Sequence, residues 1–179
     1  MRAEDVLYFW FTECGPSAWW TKSNSFDVLI ERRFGPVLEQ AAAGELAVWR
    51  HTDRGRLAEI IVLDQFSRNI FRDSAAAFSC DAMALALSQE AVGQGIGENW
   101  PPSRKQFLYM PYMHSESRHI HEQALELFGR PGMEGNLDFE LRHKAIIDHF
   151  GRYPHRNSVL GRKSTEEELA FLKQPGSSF

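Results

Sequence analysis

The chain has 179 residues, 43% of them hydrophobic and 25% charged, with a net charge of −4 and an isoelectric point near 6.0. That size suits one helical domain over 1–179 able to bury a substantial core. The acidic balance argues against a nucleic-acid partner, which calls for a basic domain, and no apolar run reaches the roughly 18 residues that span a bilayer. The start, MRAEDVLYFWF, places Glu4 and Asp5 directly after its one arginine, unlike a secretory signal. Two cysteines, Cys14 and Cys80, stand without a CxxC motif and fit a reducing, cytoplasmic setting.

Helical signals recur along the chain, and sustained apolar–polar alternation is missing, so the expected fold is all-α with about eight helices. Glu4 to Phe11 reads as a short first helix, followed by a loop at Gly15 and Pro16. Ser25 is a candidate cap for a helix to about Ala43, with Gly35-Pro36 expected to kink or divide it. Thr52 or Asp53 caps the next, which runs to Phe71, and another spans about Ala75 to Val92 with Cys80 in its core. Ser103 to Met110 is bounded by prolines, and His114 to Phe128 follows. The loop GRPGMEGN leads into a helix from Leu137 to Phe150. Ser164 and Thr165 lie three residues before Glu167 and Glu168, a capping-box spacing for a last short helix to about Lys173. The tail from about residue 174 to 179 is expected to fray.

Two helices carry polar side chains on apolar faces. At about 100° per residue, Asp64 and Arg68 fall among Leu57, Ile60, Ile61 and Phe71, four residues apart and able to pair. The plain reading is an internal clasp; the sharper one is that Asp64 aims Arg68 at a carboxylate or phosphate. Likewise His143 falls among Phe139, Ile146, Ile147 and Phe150, with Arg142 and His149 at the edge. It reads as a hydrogen-bonded core residue or, with arginines nearby, as a general base.

Asp138 to Thr165 holds three of the seven histidines and is net +3, from four Arg and two Lys against Asp138, Glu140 and Asp148. Its loop, GRYPHRN, presents Arg152, His155 and Arg156, and Asn157 can cap a brief turn before Arg162 and Lys163, which are expected to face solvent. The cluster HSESRHIH offers His114, Glu116, His119 and His121 but not the HExxH spacing of a metal site, so no metal is assigned.

Four segments resemble a bacterial family called domain of unknown function 924: DVLYFWF, LDQFSRN, FLYMPYMHSE and RHKAII..FGRYPHRNSVLGRKST. The similarity covers nearly the whole chain. It implies a tetratricopeptide-repeat-like array of antiparallel helices and supplies no activity. Departures are Ser67, where the family usually has proline, and Tyr112 and Tyr153, where phenylalanine is common. The loop around Gly129 to Asn136 is short, and His119, His121 and His149 lie outside the shared pattern.

Three functions are open on these residues. One is binding, or hydrolysis, of a small anionic metabolite. It would use Asp64, Arg68, His114, Glu116, Arg142, Arg152, Arg156 and Asn157, with His143 or His155 as base. Another is a helical module that grips a peptide, with Trp10, Trp19, Trp20 and Trp49 as contacts. The third is a purely structural polar cluster. No nucleophile elbow, phosphate loop or cofactor motif is present. An Arg156→Ala change is expected to remove anion binding with little effect on the unliganded melting temperature.

Overall fold

The computed structural model describes residues 1–178, and no strand occurs among them. The helices are α1 (Ala3–Tyr8), α2 (Pro16–Trp19), α3 (Asn24–Ala42), α4 (Asp53–Ile61), α5 (Ser67–Ile70), α6 (Asp81–Gly93), α7 (Pro102–Met113), α8 (Arg118–Phe128), α9 (Glu134–Phe150) and α10 (Glu166–Phe171). Two π-helical stretches extend this order: Phe9–Cys14 continues α1, and Val62–Phe66 joins α4 to α5. The chain divides into two compact units, one of residues 1–72 and 76–111, the other of 73–75 and 112–178.

In the first unit α3 starts at Ser23, whose hydroxyl accepts the Phe26 amide, two residues before the expected cap. Its inward residues, Asp27, Ile30, Phe34, Val37, Leu38 and Ala41, follow the helical period. The helix runs through Pro36 rather than dividing there. Pro36 lies on the exposed side, where water can satisfy the carbonyl that loses its amide partner. Asp27 meets Asn69 and Arg72, and Phe34 meets Phe66, so α3 is antiparallel to the α4–α5 rod. Around that contact Phe9, Trp10, Phe34, Phe66 and Phe107 form a buried aromatic core. The expected helix from Ala75 splits: a 3-10 turn, Ala75–Phe78, precedes α6, and Cys80 sits buried at the α6 N-cap.

In the second unit α8 and α9 form an antiparallel hairpin. Arg118 donates to the Ile147 and Asp148 carbonyls, Glu122 pairs with Lys144, and His121 meets Glu140. The expected helix from His114 begins only at Arg118. Ser115 Oγ takes the Ser117 amide, and its carbonyl is taken by His121, which holds His114 to Ser117 as a turn. By contrast α9 starts three residues earlier than expected, on buried Met133. It ends at Gly151, whose left-handed backbone (φ 71°) suits glycine. Its inward line is Glu140, His143, Ile146 and Ile147, whereas Phe139 is 52% exposed. Phe139 lies about 100° from Glu140, so drawing that carboxylate toward His121 turns the ring outward. Thr165 and Glu168 form the expected capping box of α10. In the tail Ser177 is buried and donates to the Leu172 carbonyl; Phe179 lies outside the described residues.

Candidate functional site

Asp64 and Arg68 belong to the first unit and the other predicted site residues to the second. Asp64 is buried on the π-helical stretch, with Arg68 Nη1 3.1 Å from its Oδ1 and 2.8 Å from its carbonyl. A second carboxylate closes the set, since Arg68 also meets Asp81 at 2.8 and 2.9 Å. Gln65 donates to Asp64 and to Met110 Sδ, while Asn69 turns to Asp27. One guanidinium therefore stands between two carboxylates, and its charge is already matched.

The second unit repeats this economy of charge. Glu116 accepts the Tyr153 amide at 2.8 Å and both terminal nitrogens of Arg162, at 2.6 and 2.9 Å. Burial opposes the charged form of Glu116, but Arg162 and the Tyr153 amide hold its carboxyl below the usual range. Arg162, expected in solvent, is thus a bidentate partner of Glu116, and its Nε donates to Asn157 Oδ1 at 2.9 Å. Asn157 Nδ2 reaches Ser164 Oγ. Arg152 forks onto Glu168 at 2.7 and 2.9 Å and donates to the Lys163 carbonyl. That arginine, with the Thr165 amide, holds Glu168 down to about 2.

Tyr153 lies at the middle of the histidines. It is fully buried, donates to the Met113 carbonyl at 2.6 Å, and has His121 Nε2 at 3.3 Å. His143 and His155 face its ring with centroids at 5.8 and 5.5 Å, and the Arg156 guanidinium lies 4.6 Å over it. Arg156 is buried and also donates to the His114 carbonyl at 3.0 Å. His143 Nδ1 donates to the Phe139 carbonyl at 2.8 Å, leaving Nε2 as the acceptor of the neutral ring. Burial pushes its pKa down to about 3. A general base works best with a pKa near the working pH, so burial this deep leaves His143 a weak one. His121 and Glu140 form a separate buried pair, in which burial raises the Glu140 carboxyl. Among the described residues no group of three or more His, Cys, Asp and Glu side chains is placed to hold a metal.

Arg142 is different. It lines an open groove of about 740 Å³ formed by α9, α10 and the tail. Ala145, Ile146, Phe150, Ala170 and Phe171 supply apolar lining, and His149 pairs with Glu167 at 2.7 Å. Arg142 and His149 share this side of α9, as their seven-residue spacing predicts. The Arg142 guanidinium lies 5.6 Å over the Phe139 ring and meets no carboxylate among the described residues.

A family described as bacterial protein of unknown function (DUF924) matches residues 6–176. The chain belongs to this family. It is also similar, at 33% identity, to the solved structure of a protein of unknown function, ATU0120, from Agrobacterium tumefaciens. The match covers 96% of each chain with a TM-score of 0.91. No curated protein matches. Three of the four segments that carry the DUF924 resemblance contribute to the two polar networks: LDQFSRN supplies Asp64 and Arg68, FLYMPYMHSE supplies Glu116, and the last segment supplies Arg152, Asn157 and Arg162. Their partners Asp81 and Glu168 were not found from the sequence, since they lie 13 and 16 residues from Arg68 and Arg152 in ordinary helical contexts.

Proposed function

We propose that the protein is a helical interaction module whose α9–α10 groove grips a short segment of a partner protein. The observation that carries this reading is the Arg142 guanidinium, which meets no carboxylate among the described residues, beside an apolar trough of about 740 Å³. An aliphatic or aromatic side chain would lie against the contacting Phe150 and Phe171 rings, whose centroids are 5.0 Å apart, and an adjacent acidic group would meet Arg142. Exposed Phe139, three residues before Arg142 on the same side of α9, extends the apolar surface. The antiparallel α8–α9 hairpin supports a tetratricopeptide-like reading of the array, in which helix-lined surfaces hold peptides. Free Cys14 and Cys80 suit the cytoplasmic setting we assign it.

Binding of a small anion at Arg68, Arg152 or Arg156 has less support, because those guanidiniums already hold carboxylates, a carbonyl or an aromatic ring. An incoming anion would have to displace an internal partner from a partly buried site.

Fluorescence anisotropy with a defined panel of labelled decapeptides tests the proposal. Peptides with an acidic residue next to Leu or Phe should bind, and otherwise matched basic peptides should not. Arg142→Glu should weaken the acidic peptides at least about tenfold and favour the basic ones. Ala170→Arg should close the trough to both. Equal binding by wild type and both variants would remove the groove as the site.

A further inference from the structure

The first unit carries an aromatic site independent of that groove. Two π-helical stretches meet there, Trp10 of Phe9–Cys14 lying edge-on to Phe66 of Val62–Phe66 with centroids 5.5 Å apart. Such stretches are rare and are found disproportionately at functional sites. Trp10 is 1% exposed, and its Nε1 is a buried donor without a hydrogen-bond acceptor among the described residues. A buried indole N–H normally finds a partner. Its ring meets Phe66 and Phe107 edge-on, and an aromatic face is a weaker acceptor than oxygen.

Against the Trp10 ring lies a strap from Gly15 to Ser23, with Trp19 stacked on that ring at a centroid distance of 6.2 Å. Its backbone turns at Gly15, where φ is 72°, a conformation that favours glycine. From Pro16 to Lys22, one hydrogen bond leaves the strap among the described residues, from Trp19 Nε1 to the Trp10 carbonyl at 2.8 Å. Rings supply the rest: Trp19 sits edge-on to Phe107 at 4.8 Å, and Trp20, 59% exposed, lies parallel to Phe107 at 6.1 Å. At the rim Arg104 lies 5.6 Å over the Phe11 ring and meets no carboxylate among the described residues.

From these observations we infer that the Gly15–Ser23 strap covers a binding site for a planar aromatic anion carrying a carbonyl. With the strap lifted, Phe107 and Phe11 offer the ligand the ring faces that Trp19 and Trp20 now cover. Trp10 Nε1 donates to the ligand carbonyl, which supplies the acceptor missing in the closed form. Arg104 meets the negative group. A segment held by rings and a single outward hydrogen bond belongs to the least stable, most readily opened part of a fold.

Coumarin-3-carboxylate, with neutral coumarin as control, tests this by isothermal titration and tryptophan quenching on the full chain. Saturable binding is expected. Trp10→Phe, which keeps a ring and removes the donor, should weaken both probes about tenfold. Arg104→Ala should weaken only the carboxylate. Trp19→Phe, which cuts the tether and keeps a ring, should speed association. Circular dichroism and melting temperature confirm that each variant folds; if Trp10→Phe does not, Arg104→Ala against the neutral control decides alone. No binding at millimolar probe, or binding unchanged by Trp10→Phe in the folded variant, overturns the site. The groove variants, being in the other unit, should leave this binding unchanged.

Discussion

His121 Nδ1 and Glu140 Oε1 lie 2.6 Å apart, with both side chains fully shut off from solvent. The pair joins α8 to α9 and, through His121 Nε2, reaches the Ser115 carbonyl and the Tyr153 hydroxyl. Removing one member leaves the other buried and unmatched. Glu140→Leu should therefore cost about 3–5 kcal/mol, whereas the His121→Leu/Glu140→Leu double variant should cost less than its two single changes together. A double-mutant cycle by urea unfolding gives the coupling directly, and additive single effects would show that the pair does not act as a unit.

His143 makes the fold acid-sensitive. Its pKa lies near 3 in the folded chain, against 6.5 for an unburied histidine. The unfolded chain therefore binds a proton between these values that the folded chain refuses. Stability from this group is fully present above pH 6.5 and falls as pH drops toward 3, by up to about 5 kcal/mol at 1.36 kcal/mol per unit. Unfolding free energies measured from pH 7 to 4 should decline, and His143→Phe should flatten part of that decline. An unchanged slope in the variant would mean that other groups carry it.

Burial of Arg156 changes what its removal should do. The guanidinium covers the Tyr153 ring and donates to the His114 carbonyl, so it is part of the interior rather than a loop residue waiting for a ligand. Arg156→Ala should lower stability by about 2–4 kcal/mol through lost packing and an unmet buried carbonyl. Differential scanning fluorimetry without ligand reads this at once. A melting temperature within a degree of wild type would restore the earlier expectation of a ligand-facing arginine.

Local spacing made part of this visible in the sequence. The Asp64–Arg68 pair is one helical turn long, and the Thr165–Glu168 box lies within four residues, so both follow from the period of the helix. Partners set by tertiary packing were hidden: Glu116 and Arg162 are 46 residues apart, and neither helix period nor composition links them. The groove was hidden for the same reason, being made where α9, α10 and the tail meet. Phe139 was misjudged because the 100° arithmetic treats an apolar side chain as inward, and here a carboxylate one position on won the interior. The π-helical stretches insert extra residues into helices whose sequences give no sign of it.

Arg152 and Glu168 fix the helix that walls the groove. Glu168 serves two partners, taking the Arg152 fork and the Thr165 amide, while Thr165 Oγ1 accepts the Glu168 amide in return. As the folded carboxyl lies near 2, below its ordinary 4.5, this contribution is present above pH 4.5 and is lost as pH falls through 2. Thr165→Ala should cost about 1 kcal/mol as a lost cap, and Glu168→Gln should cost more because it also releases Arg152. Hydrogen exchange should quicken in α10 before it does in the α8–α9 hairpin. Since Ala170 and Phe171 ride on α10, Glu168→Gln should also weaken acidic peptides at the groove with Arg142 untouched. Faster exchange in α10 with unchanged peptide affinity would show that this helix is not a wall of the binding site.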